Sequence, residues 1–196
     1  MSEQHVVFRR GKKVYLRPLE EGDLHRLYRW INDPEVSIFL DQTFPLSLVY
    51  EAEFLKQAMT RPAFPRDIIF AICLNEDNRH IGVMGLHNIR YDHGTAGTGS
   101  FIGEKDLWGK GYGFDAKMIL LDYAFNTLRL RKVCAGAKAF NGRSLGFNAK
   151  CGYYSEGLRR GQFLVNGEFV DEVITAVTPA QWDVRWQEYC SDWKRS

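Results

Sequence analysis

Apolar and polar positions in the first third of the chain follow two periods in turn. Residues 14–17 alternate between the two classes and end at a proline, which predicts a short strand. After Asp23 the apolar residues recur at a spacing of about 3.6, so we expect a helix that Asp23 caps. A second run with helical spacing begins after Ser47, and we expect that helix to end at Arg61 and Pro62.

The middle of the chain contains the longest apolar runs. Residues 68–74 and 81–86 are two of them, and the polar turn between them predicts a hairpin. We expect a loose stretch over residues 88–97 and another strand over residues 99–103. A helix is predicted for residues 112–128. Its buried face would comprise Ala116, Ile119, Leu120, Tyr123 and Thr127.

The last third of the chain returns to strands. Residues 133–139 predict a strand, residues 143–150 predict a short helix, and Gly152 is the residue expected to end that helix. Asn166-Gly167 lies between two apolar runs and predicts a hairpin, and residues 179–193 predict a helix with an aromatic face. Helices mixed with antiparallel pairs indicate an α/β or mixed α+β domain.

Composition limits the classes of protein to which the chain can belong. Its 196 residues suit one domain, and 45% hydrophobic with 26% charged residues is typical of a globular protein. A net charge of +2 does not favour nucleic acid as a partner. No segment approaches the about 20 apolar residues of a membrane-spanning helix. Because the first residues also lack the apolar core of a signal peptide, we expect a cytoplasmic protein.

Cysteine and histidine spacings do not favour a metal site. The four cysteines form no CxxC pair and three of them lie in apolar runs, so we expect reduced thiols. His80, His87 and His93 are seven and six positions apart, which matches no short metal-ligand motif. We therefore expect no metal.

A glycine-rich segment links the strand at residues 99–103 to the helix that begins at Tyr112. We call it the glycine loop; it comprises Trp108-Gly109-Lys110-Gly111-Tyr112-Gly113. Such a loop presents backbone N–H groups and the helix dipole to an anion, and Lys110 adds a positive charge. The alternative is a tight turn in which the glycines serve geometry alone. The spacing fits neither the GxxxxGK[ST] nor the GxGxxG motif, so neither nucleotide-binding fold is predicted.

The glycine loop and the residues that follow it resemble the coenzyme A loop of the GCN5-related N-acetyltransferase (GNAT) family, particularly its RimJ/RimL-like branch. Gly111 and Gly113 match the glycines of the family pattern Q/R-x-x-G-x-G/A, and Trp108 stands at its polar first position. Four further segments resemble the branch in the same order: 16–19 with Asp23, 30–36, 141–144 with 150–153, and 165–171.

The resemblance implies a fold, a co-substrate and a reaction. The fold is a central mixed, mostly antiparallel twisted sheet flanked by helices, with splayed strands that form a cofactor cleft. It would span residues 12–178, with a helical extension at 179–196. The co-substrate is acetyl-CoA, and an acceptor amine attacks its thioester directly in a ternary complex. Acceptors implied are peptide N-termini, polyamines, amino sugars and aminoglycosides; a homodimer is compatible with the family, and a membrane partner is not expected.

The resemblance also implies roles for individual residues. Those expected to bind coenzyme A are Phe101, Ile102, Trp108, Gly109, Lys110, Gly111, Tyr112, Gly113, Asn141 and Lys150. The resemblance gives Ser144 and Asn141 roles in catalysis. We add His87 as a candidate catalytic residue because histidine has the pKa range of a base, and the alternative for His87 is a structural histidine. In many members a tyrosine protonates the leaving thiolate, and Asn148 stands at its position in this chain. Ser144 is the hydroxyl residue of the matching motif that lies nearest to that position, so we expect it to take this role. The alternative for Ser144 is a helix-start residue that bonds its own backbone.

Amine acetylation makes two further demands. The acceptor amine must lose a proton before it attacks, because alkyl amines are protonated at neutral pH. Members of the branch often carry a glutamate at the position of Gly97, so the remaining candidates for the base are His87, Asp92, His93 and Glu104. The carbonyl oxygen needs a donor, for which we expect a backbone N–H within residues 100–102.

Two other functions are compatible with the sequence. The missing tyrosine and glutamate also fit a non-catalytic acyl-CoA-binding or sensing domain. A ribosome- or RNA-associated role is suggested by family members that modify ribosomal proteins, and the small net charge argues against it.

Overall fold

One mixed sheet forms the centre of the protein. The computed structural model describes residues 6–60, 62–191 and 193. Within these residues the strands are β1 (Arg9–Arg10), β2 (Val14–Pro18), β3 (Ile68–Leu74), β4 (His80–Arg90), β5 (Thr95–Ile102), β6 (Lys132–Lys138), β7 (Tyr154–Val165) and β8 (Glu168–Val177). The α-helices are α1 (Leu24–Ile31), α2 (Pro34–Ser37), α3 (Leu48–Met59), α4 (Tyr112–Asp122), α5 (Gly142–Lys150) and α6 (Pro179–Cys190).

The sheet contains one parallel pair, and that pair separates part of the way along. The strand order is β1-β2-β3-β4-β5-β6-β8-β7, and β5 and β6 are the parallel neighbours among the described strands. They pair only from Thr95 to Gly97 against Lys132 to Cys134. Beyond these residues the strands diverge and leave a V-shaped cleft. The predicted mixed, mostly antiparallel sheet flanked by helices is confirmed.

Each face of the sheet carries its own hydrophobic core. Successive side chains of a strand point to opposite faces, so Val14 and Tyr15 on β2 belong to different cores. Val14 packs in the core that contains Ile119 of α4 and Trp182 of α6. Tyr15 packs in the core that contains Leu27 of α1 and Leu55 of α3. The helices that flank the cleft are thereby fixed on both faces.

Short-range signals in the sequence predicted several features correctly. The Ser47 side chain accepts a hydrogen bond from the Tyr50 N–H (3.2 Å) and caps α3. Gly152 follows α5 with a φ of 94°. Asn166 and Gly167 have φ values of 51° and 85° and join β7 to β8. Arg61, the expected end of α3, lies outside the described residues; α3 ends at Met59.

Two predicted boundaries are wrong. The stretch 88–97 is not loose, because β4 continues to Arg90 and β5 begins at Thr95, with a turn at residues 91–94 between them. The ladder to β4 holds glycine-rich residues extended despite their weak strand preference. The helix predicted over 112–128 winds as an α-helix only to Asp122 and continues as a π-turn over Tyr123–Thr127. The wider winding rotates the last turn, so Thr127 is exposed rather than buried.

Asp23 does not cap α1 with its side chain, contrary to the prediction. Its carboxylate is buried and accepts two hydrogen bonds from the Arg17 guanidinium, both 2.7 Å long. The Nδ1 atom of the buried His80 lies 2.8 Å from the same carboxylate. Since a buried carboxylate needs charged partners, the pairing with Arg17 and His80 outweighs the cap.

Helix α6 packs against the same core as α4. Its aromatic side chains Trp182, Trp186 and Tyr189 stack on one another at centroid distances of 4.9 and 5.3 Å. Trp182 and Tyr189 are buried. The aromatic face predicted for this helix is confirmed; residues 192 and 194–196 of the expected extension lie outside the described residues.

Candidate functional site

The glycine loop turns sharply into the N-terminus of α4. Gly109 and Gly111 have φ values of 76° and 87°, a region that side-chain-bearing residues rarely adopt. The first hydrogen bond of the helix joins the Asp115 N–H to the Gly111 carbonyl (3.0 Å). The N–H groups of Tyr112 and Gly113 therefore precede the helical bonding pattern, and both residues line a cavity. This is the geometry of an anion site at a helix N-terminus.

A lysine that the sequence did not single out reinforces the glycine loop. The Lys13 ammonium donates to the Lys110 carbonyl (2.9 Å) and lies 5.6 Å from the centre of the Tyr112 ring. Lys13 belongs to the turn before β2, so only the fold brings it here. Lys110 itself is exposed, and its side chain is not among the described residues that line the cavity. Both lysines place positive charge next to the helix N-terminus.

Asp115, in the first turn of α4, supports the glycine loop from behind. Its buried carboxylate accepts hydrogen bonds from the backbone N–H groups of Lys12, Lys13 and Val14 at 3.1, 2.8 and 2.9 Å. It also accepts one from the Tyr189 hydroxyl of α6 (2.7 Å). One side chain thus fixes the start of α4 to the turn before β2 and to α6.

The first cavity occupies the cleft between β5 and β6 and has a volume of about 750 Å³. Phe101 and Ile102 of β5 line it, as do all residues of the glycine loop except Lys110. The Trp108 indole N–H donates to the Ile102 carbonyl (2.6 Å). Tryptophan thus supplies a donor at the position where the family pattern has a polar side chain.

Helix α5 forms the opposite wall of the first cavity. Asn141, Ser144 and Lys150 all line it. The side-chain Oδ1 of Asn141 accepts from the Ser144 N–H (3.1 Å), so Asn141 is the N-cap of α5. Arg143 also lines the cavity, and its guanidinium lies 4.6 Å from the Trp108 ring centre. Arg143 is a further cation at this wall that sequence reasoning missed.

A buried lysine lies where β5 and β6 separate. Lys117 of α4 is 1% exposed, lines the first cavity and donates to the Thr98 hydroxyl (3.1 Å). Burial lowers the pKa of Lys117 to about 8. Asn148, which stands at the family's tyrosine position, is also buried and lines the same cavity. Its Oδ1 atom has no hydrogen-bond partner among the described residues.

The second cavity lies on the other side of β5 and has the same volume, about 750 Å³. Helix α3, the start of β3 and the middle of β4 contribute to its lining. The two cavities share a wall made of Leu40, Asp41, Gly99, Ser100 and Phe101. The Lys138 ammonium on β6 donates to the Ile38 and Leu40 carbonyls (2.9 and 2.6 Å) and holds the segment before Asp41 in this wall. Two ligands bound in these cavities would meet at β5.

His87 on β4 lines the second cavity next to the shared wall. Its ring lies over the paired Gly85 and Gly99, whose missing Cβ atoms leave the room that the ring occupies. The His87 Nδ1 is 3.5 Å from the Asp67 carboxylate. Burial lowers the pKa of His87, and the carboxylate only partly opposes this. The imidazole is therefore neutral at pH 7 and able to accept a proton.

The other candidates for a base lie elsewhere. Asp92 and His93 are in the turn after β4, where Asp92 pairs with Arg90 (2.9 Å). Glu104 accepts from the Trp30 indole (3.0 Å) and pairs with Arg29. None of Asp92, His93 and Glu104 is among the described residues that line either cavity.

The described part of the chain contains neither a cluster of potential metal ligands nor a helix suited to a bilayer. In residues 6–60, 62–191 and 193, no three histidine, cysteine, aspartate or glutamate side chains lie close enough together to share a metal ion. None of the helices in the same residues has the length and apolar character that crossing a bilayer requires.

Comparison with known proteins gives consistent matches. A profile of the acetyltransferase (GNAT) domain matches residues 13–154. The chain is 30% identical over 175 residues to the probable N-acetyltransferase YjcK of Bacillus subtilis (strain 168), covering 86% of this chain and 95% of that one. It is 30% identical over 109 residues to the ribosomal protein uS5 alanine N-acetyltransferase of Escherichia coli (strain K12), 55% of each chain.

A solved structure supports the fold independently. The spermidine N-acetyltransferase of Vibrio cholerae, in complex with CoA and spermine, superposes with a TM-score of 0.78. The match is 22% identical in sequence and covers 86% of this chain and 97% of that one. The fold class that the resemblance implied is confirmed.

Proposed function

The chain belongs to the acetyltransferase (GNAT) family and is an acetyl-CoA-dependent acyltransferase, and on that premise we propose that it acetylates a primary amine in a ternary complex. The observation that carries the proposal is the pair of cavities that meet at Gly99, Ser100 and Phe101. Acetyl-CoA occupies the first cavity and the amine occupies the second. The thioester and the nitrogen then approach each other across β5.

The walls of the first cavity fit coenzyme A. The N–H groups at the start of α4 receive the pyrophosphate, and Lys13, Lys110 and Arg143 supply positive charge around it. The cleft between β5 and β6 receives the pantetheine arm, whose two amides need backbone or amide partners. Asn141 and Asn148 face that path. When bound, acetyl-CoA supplies the thioester carbonyl, and a backbone N–H within residues 100–102 stabilises the developing oxyanion.

His87 is the proposed base. Its imidazole lies beside Gly99 at the shared wall, and Asp67 orients it as a carboxylate partner. A neutral imidazole removes the proton of the acceptor ammonium, directly or through one water. Ser144 and Asn141 line the first cavity at the start of α5, on the other side of β5 from His87. We assign them the role of positioning coenzyme A and not that of the base.

The acceptor is proposed to be a cation. Asp41 and Asp67 line the second cavity, and Arg66 is the basic residue beside them among the described lining residues. Two carboxylates against one guanidinium favour an ammonium group. The relatives that act on an alanine of ribosomal protein uS5 and on spermidine are compatible with this class. Peptide N-termini, polyamines, amino sugars and aminoglycosides are therefore the acceptor panel.

The test is an acceptor screen with two readouts, release of free CoA and a mass increase of one acetyl group on the acceptor. We expect turnover with at least one member of the panel. His87→Gln should lower kcat/KM by about 100-fold and remove the acid limb of its pH profile. The matched control is His93→Gln, because His93 is exposed and outside both cavities.

Two outcomes would contradict the proposal. Tight acetyl-CoA binding without turnover on any amine would instead identify an acyl-CoA-binding domain. Equal pH profiles for the wild type and His87→Gln would remove His87 from the role of base and leave the transferase function standing.

A further inference from the structure

We propose that Lys117 is the acid that protonates the sulfur of coenzyme A as it leaves, an inference that rests on the acetyl transfer proposed above. The role falls to this lysine because Asn148 occupies the position where many members have a tyrosine. Lys117 lies on α4 and reaches the cleft from the opposite side to His87. One group removes a proton from the acceptor and the other delivers a proton to the leaving group.

The surroundings of Lys117 do not explain why a lysine is buried there. Its side chain is 1% exposed, and its ammonium has a single hydrogen bond in the described structure, to the Thr98 hydroxyl (3.1 Å). The rings of Phe147 and Tyr153 lie 5.5 and 5.6 Å away. No ion pair among the described residues includes Lys117. Two of its three N–H groups are therefore available for a partner in the cavity.

Lys117 lies at the distance from the glycine loop that the sulfur requires. Ile102 marks the glycine-loop end of β5, because its carbonyl accepts the hydrogen bond from Trp108. Thr98 marks the Lys117 end. The two residues are four positions apart on β5, which corresponds to about 13 Å. The pantetheine arm has about a dozen bonds between its phosphate ester oxygen and its sulfur. Four extended residues have the same number of backbone bonds, so the two spans are about equally long. An arm that follows β5 from the loop thus ends beside Thr98 and Lys117.

A second buried polar atom near Lys117, the Asn148 Oδ1, has no hydrogen-bond partner in the described structure. The Asn148 side chain is 2% exposed and lines the first cavity, and its Oδ1 atom has no partner in the described structure. An unpaired buried carbonyl oxygen costs about 1–3 kcal/mol unless something bonds to it. A pantetheine N–H or the thiol S–H supplies the missing donor. Asn148 and Lys117 therefore define a site for the end of the arm that carries the sulfur.

The titratable groups around Lys117 leave it as the acid. Cys151 follows α5, Tyr153 precedes β7, and His87 faces from β4. Burial raises the pKa of Cys151 to about 12 and that of Tyr153 well above its ordinary value, so both stay protonated and neutral. The pKa of about 8 for Lys117 lies below the ordinary lysine value of 10.5 and close to the cysteine value of about 8.5, so Lys117 gives up its proton to a thiolate more readily than an ordinary lysine does.

The proposed step conserves atoms and charge. His87 first takes one proton from the acceptor ammonium and passes it to solvent. The neutral amine nitrogen then forms a bond to the acetyl carbon and gives up a second proton to His87. The carbon–sulfur bond breaks, and its electron pair stays on sulfur. Lys117 delivers a proton to that sulfur, which yields the thiol and a neutral amine, and the amine recovers a proton from solvent through the open cleft.

The first experiment measures the thiol of bound CoA and needs no acceptor. Thiolate absorbance is titrated for CoA bound to the wild type, to Lys117→Met and to the control Lys56→Met, with desulfo-CoA complexes as baselines. Lys56 is exposed and is not among the described residues that line either cavity. We expect the wild type and the control to lower the thiol pKa by about 1 or more, as a cation within about 6 Å does. Equal thiol pKa values with and without Lys117 would overturn the proposal.

The second experiment measures turnover. Lys117→Met should lower kcat by about 100-fold with little change in the KM for acetyl-CoA, and it should remove an alkaline limb near pH 8. Lys117→Arg keeps the charge and cannot release a proton in this range, so it should stay equally slow. Full activity of Lys117→Arg would show that charge alone suffices and overturn the role.

The outcomes separate this proposal from the proposed function. If no amine is acetylated, the transferase function fails while the thiol titration still decides whether Lys117 meets the sulfur. Incubation with acetyl-CoA alone, followed by peptide mass analysis, checks the opposite chemistry. Acetylation of Lys117 itself would make it a nucleophile and refute its role as an acid.

Discussion

Asp115 offers a direct test of how the glycine loop is supported. Its carboxylate is 3% exposed and accepts four hydrogen bonds. One oxygen takes the Lys12 N–H and the Tyr189 hydroxyl, and the other takes the Lys13 and Val14 N–H groups. Asp115→Asn keeps one acceptor oxygen and replaces the other by an NH₂ group, so two of the four bonds to the carboxylate are lost whichever way the amide turns. Of the four donors, only the Tyr189 hydroxyl can turn and accept from the new NH₂ group.

The size of the effect follows from these bonds. A hydrogen bond to a charged acceptor contributes about 1.5–3 kcal/mol, so the two lost bonds amount to roughly 3–6 kcal/mol, of which a turned Tyr189 hydroxyl recovers only about 1 kcal/mol. A domain of this kind is stable by only about 5–15 kcal/mol, so the variant should lose a large part of its free energy of unfolding. Tyr189→Phe removes two bonds, the one that the hydroxyl donates to Asp115 and the one that it accepts from the Lys12 N–H, which keeps Asp115 as a partner. It should cost about 1.5–3 kcal/mol.

Urea unfolding followed by tryptophan fluorescence measures both losses, because Trp182 and Trp186 lie on α6. Acetyl-CoA affinity, measured by calorimetry at a temperature where the variant is folded, should fall as well. Asp183→Asn is the control, since Asp183 is an exposed carboxylate of α6 that accepts from Gln187 (2.8 Å). A loss below about 1 kcal/mol in Asp115→Asn, at an unchanged denaturant slope, would refute the support assigned to this residue. Additive losses in the double variant with Tyr189→Phe would do the same.

Three more predictions concern the loop and two buried charges. Gly111→Val should raise the acetyl-CoA dissociation constant by at least about 10-fold, because φ is 87° at Gly111 and the loop must deform to accept a side chain. The control Gly157→Val, on the exposed strand β7, should leave the dissociation constant unchanged. Unchanged affinity in a folded Gly111→Val protein would contradict the proposed binding site. Burial alone would raise the pKa of Asp23, but bonds from Arg17 and His80 hold it well below its ordinary 3.8, so this carboxylate stabilises the fold above about pH 4 and stops doing so as pH falls further. Asp23→Asn should therefore be less stable by about 3–5 kcal/mol at pH 7, and a gap that stayed constant down to pH 2 would contradict this. For Lys117, the fall in pKa from 10.5 to about 8 corresponds to a penalty of about 3 kcal/mol for the charged form. Allowing for the lost bond to Thr98, the free energy of unfolding of Lys117→Met should exceed that of the wild type by about 2 kcal/mol at pH 7. This difference should shrink between pH 8 and 10.5, where Lys117 is already neutral in the folded wild type. A variant that is less stable than the wild type at pH 7 would contradict the prediction.

Features that depend on a few neighbouring residues could be predicted from the sequence. Ser47, Gly152 and Asn166-Gly167 each impose a local backbone geometry, and each lies where it was expected. The glycine loop is of the same kind. Its residues line the first cavity except for Lys110, whose side chain faces solvent.

Features that depend on distant partners could not be predicted in this way. Asp23 was expected to cap a helix because the local pattern could not reveal Arg17 and His80 on its two sides. Lys13 reaches the glycine loop from 97 positions away in the sequence. Lys117 did carry a signal: it stands within the run 116–121 of α4, which is buried on every side, so a charge there had to be buried as well. The sequence could not show which ligand group Lys117 faces, because that depends on where β5 and β6 separate in the fold.

The bonds that converge on Asp115 also bear on the order in which the protein is made and folds. The Lys12 N–H contacts the Tyr189 hydroxyl as well as Asp115, and these contacts join residues 74 to 177 positions apart. Closing such long loops is slow, and the two bonds of the Tyr189 hydroxyl cannot form until residue 189 has left the ribosome. The donor site is therefore completed late in folding, and a nascent chain without α6 should have little affinity for acetyl-CoA. Binding of acetyl-CoA thus reports that nearly the whole described chain has been assembled.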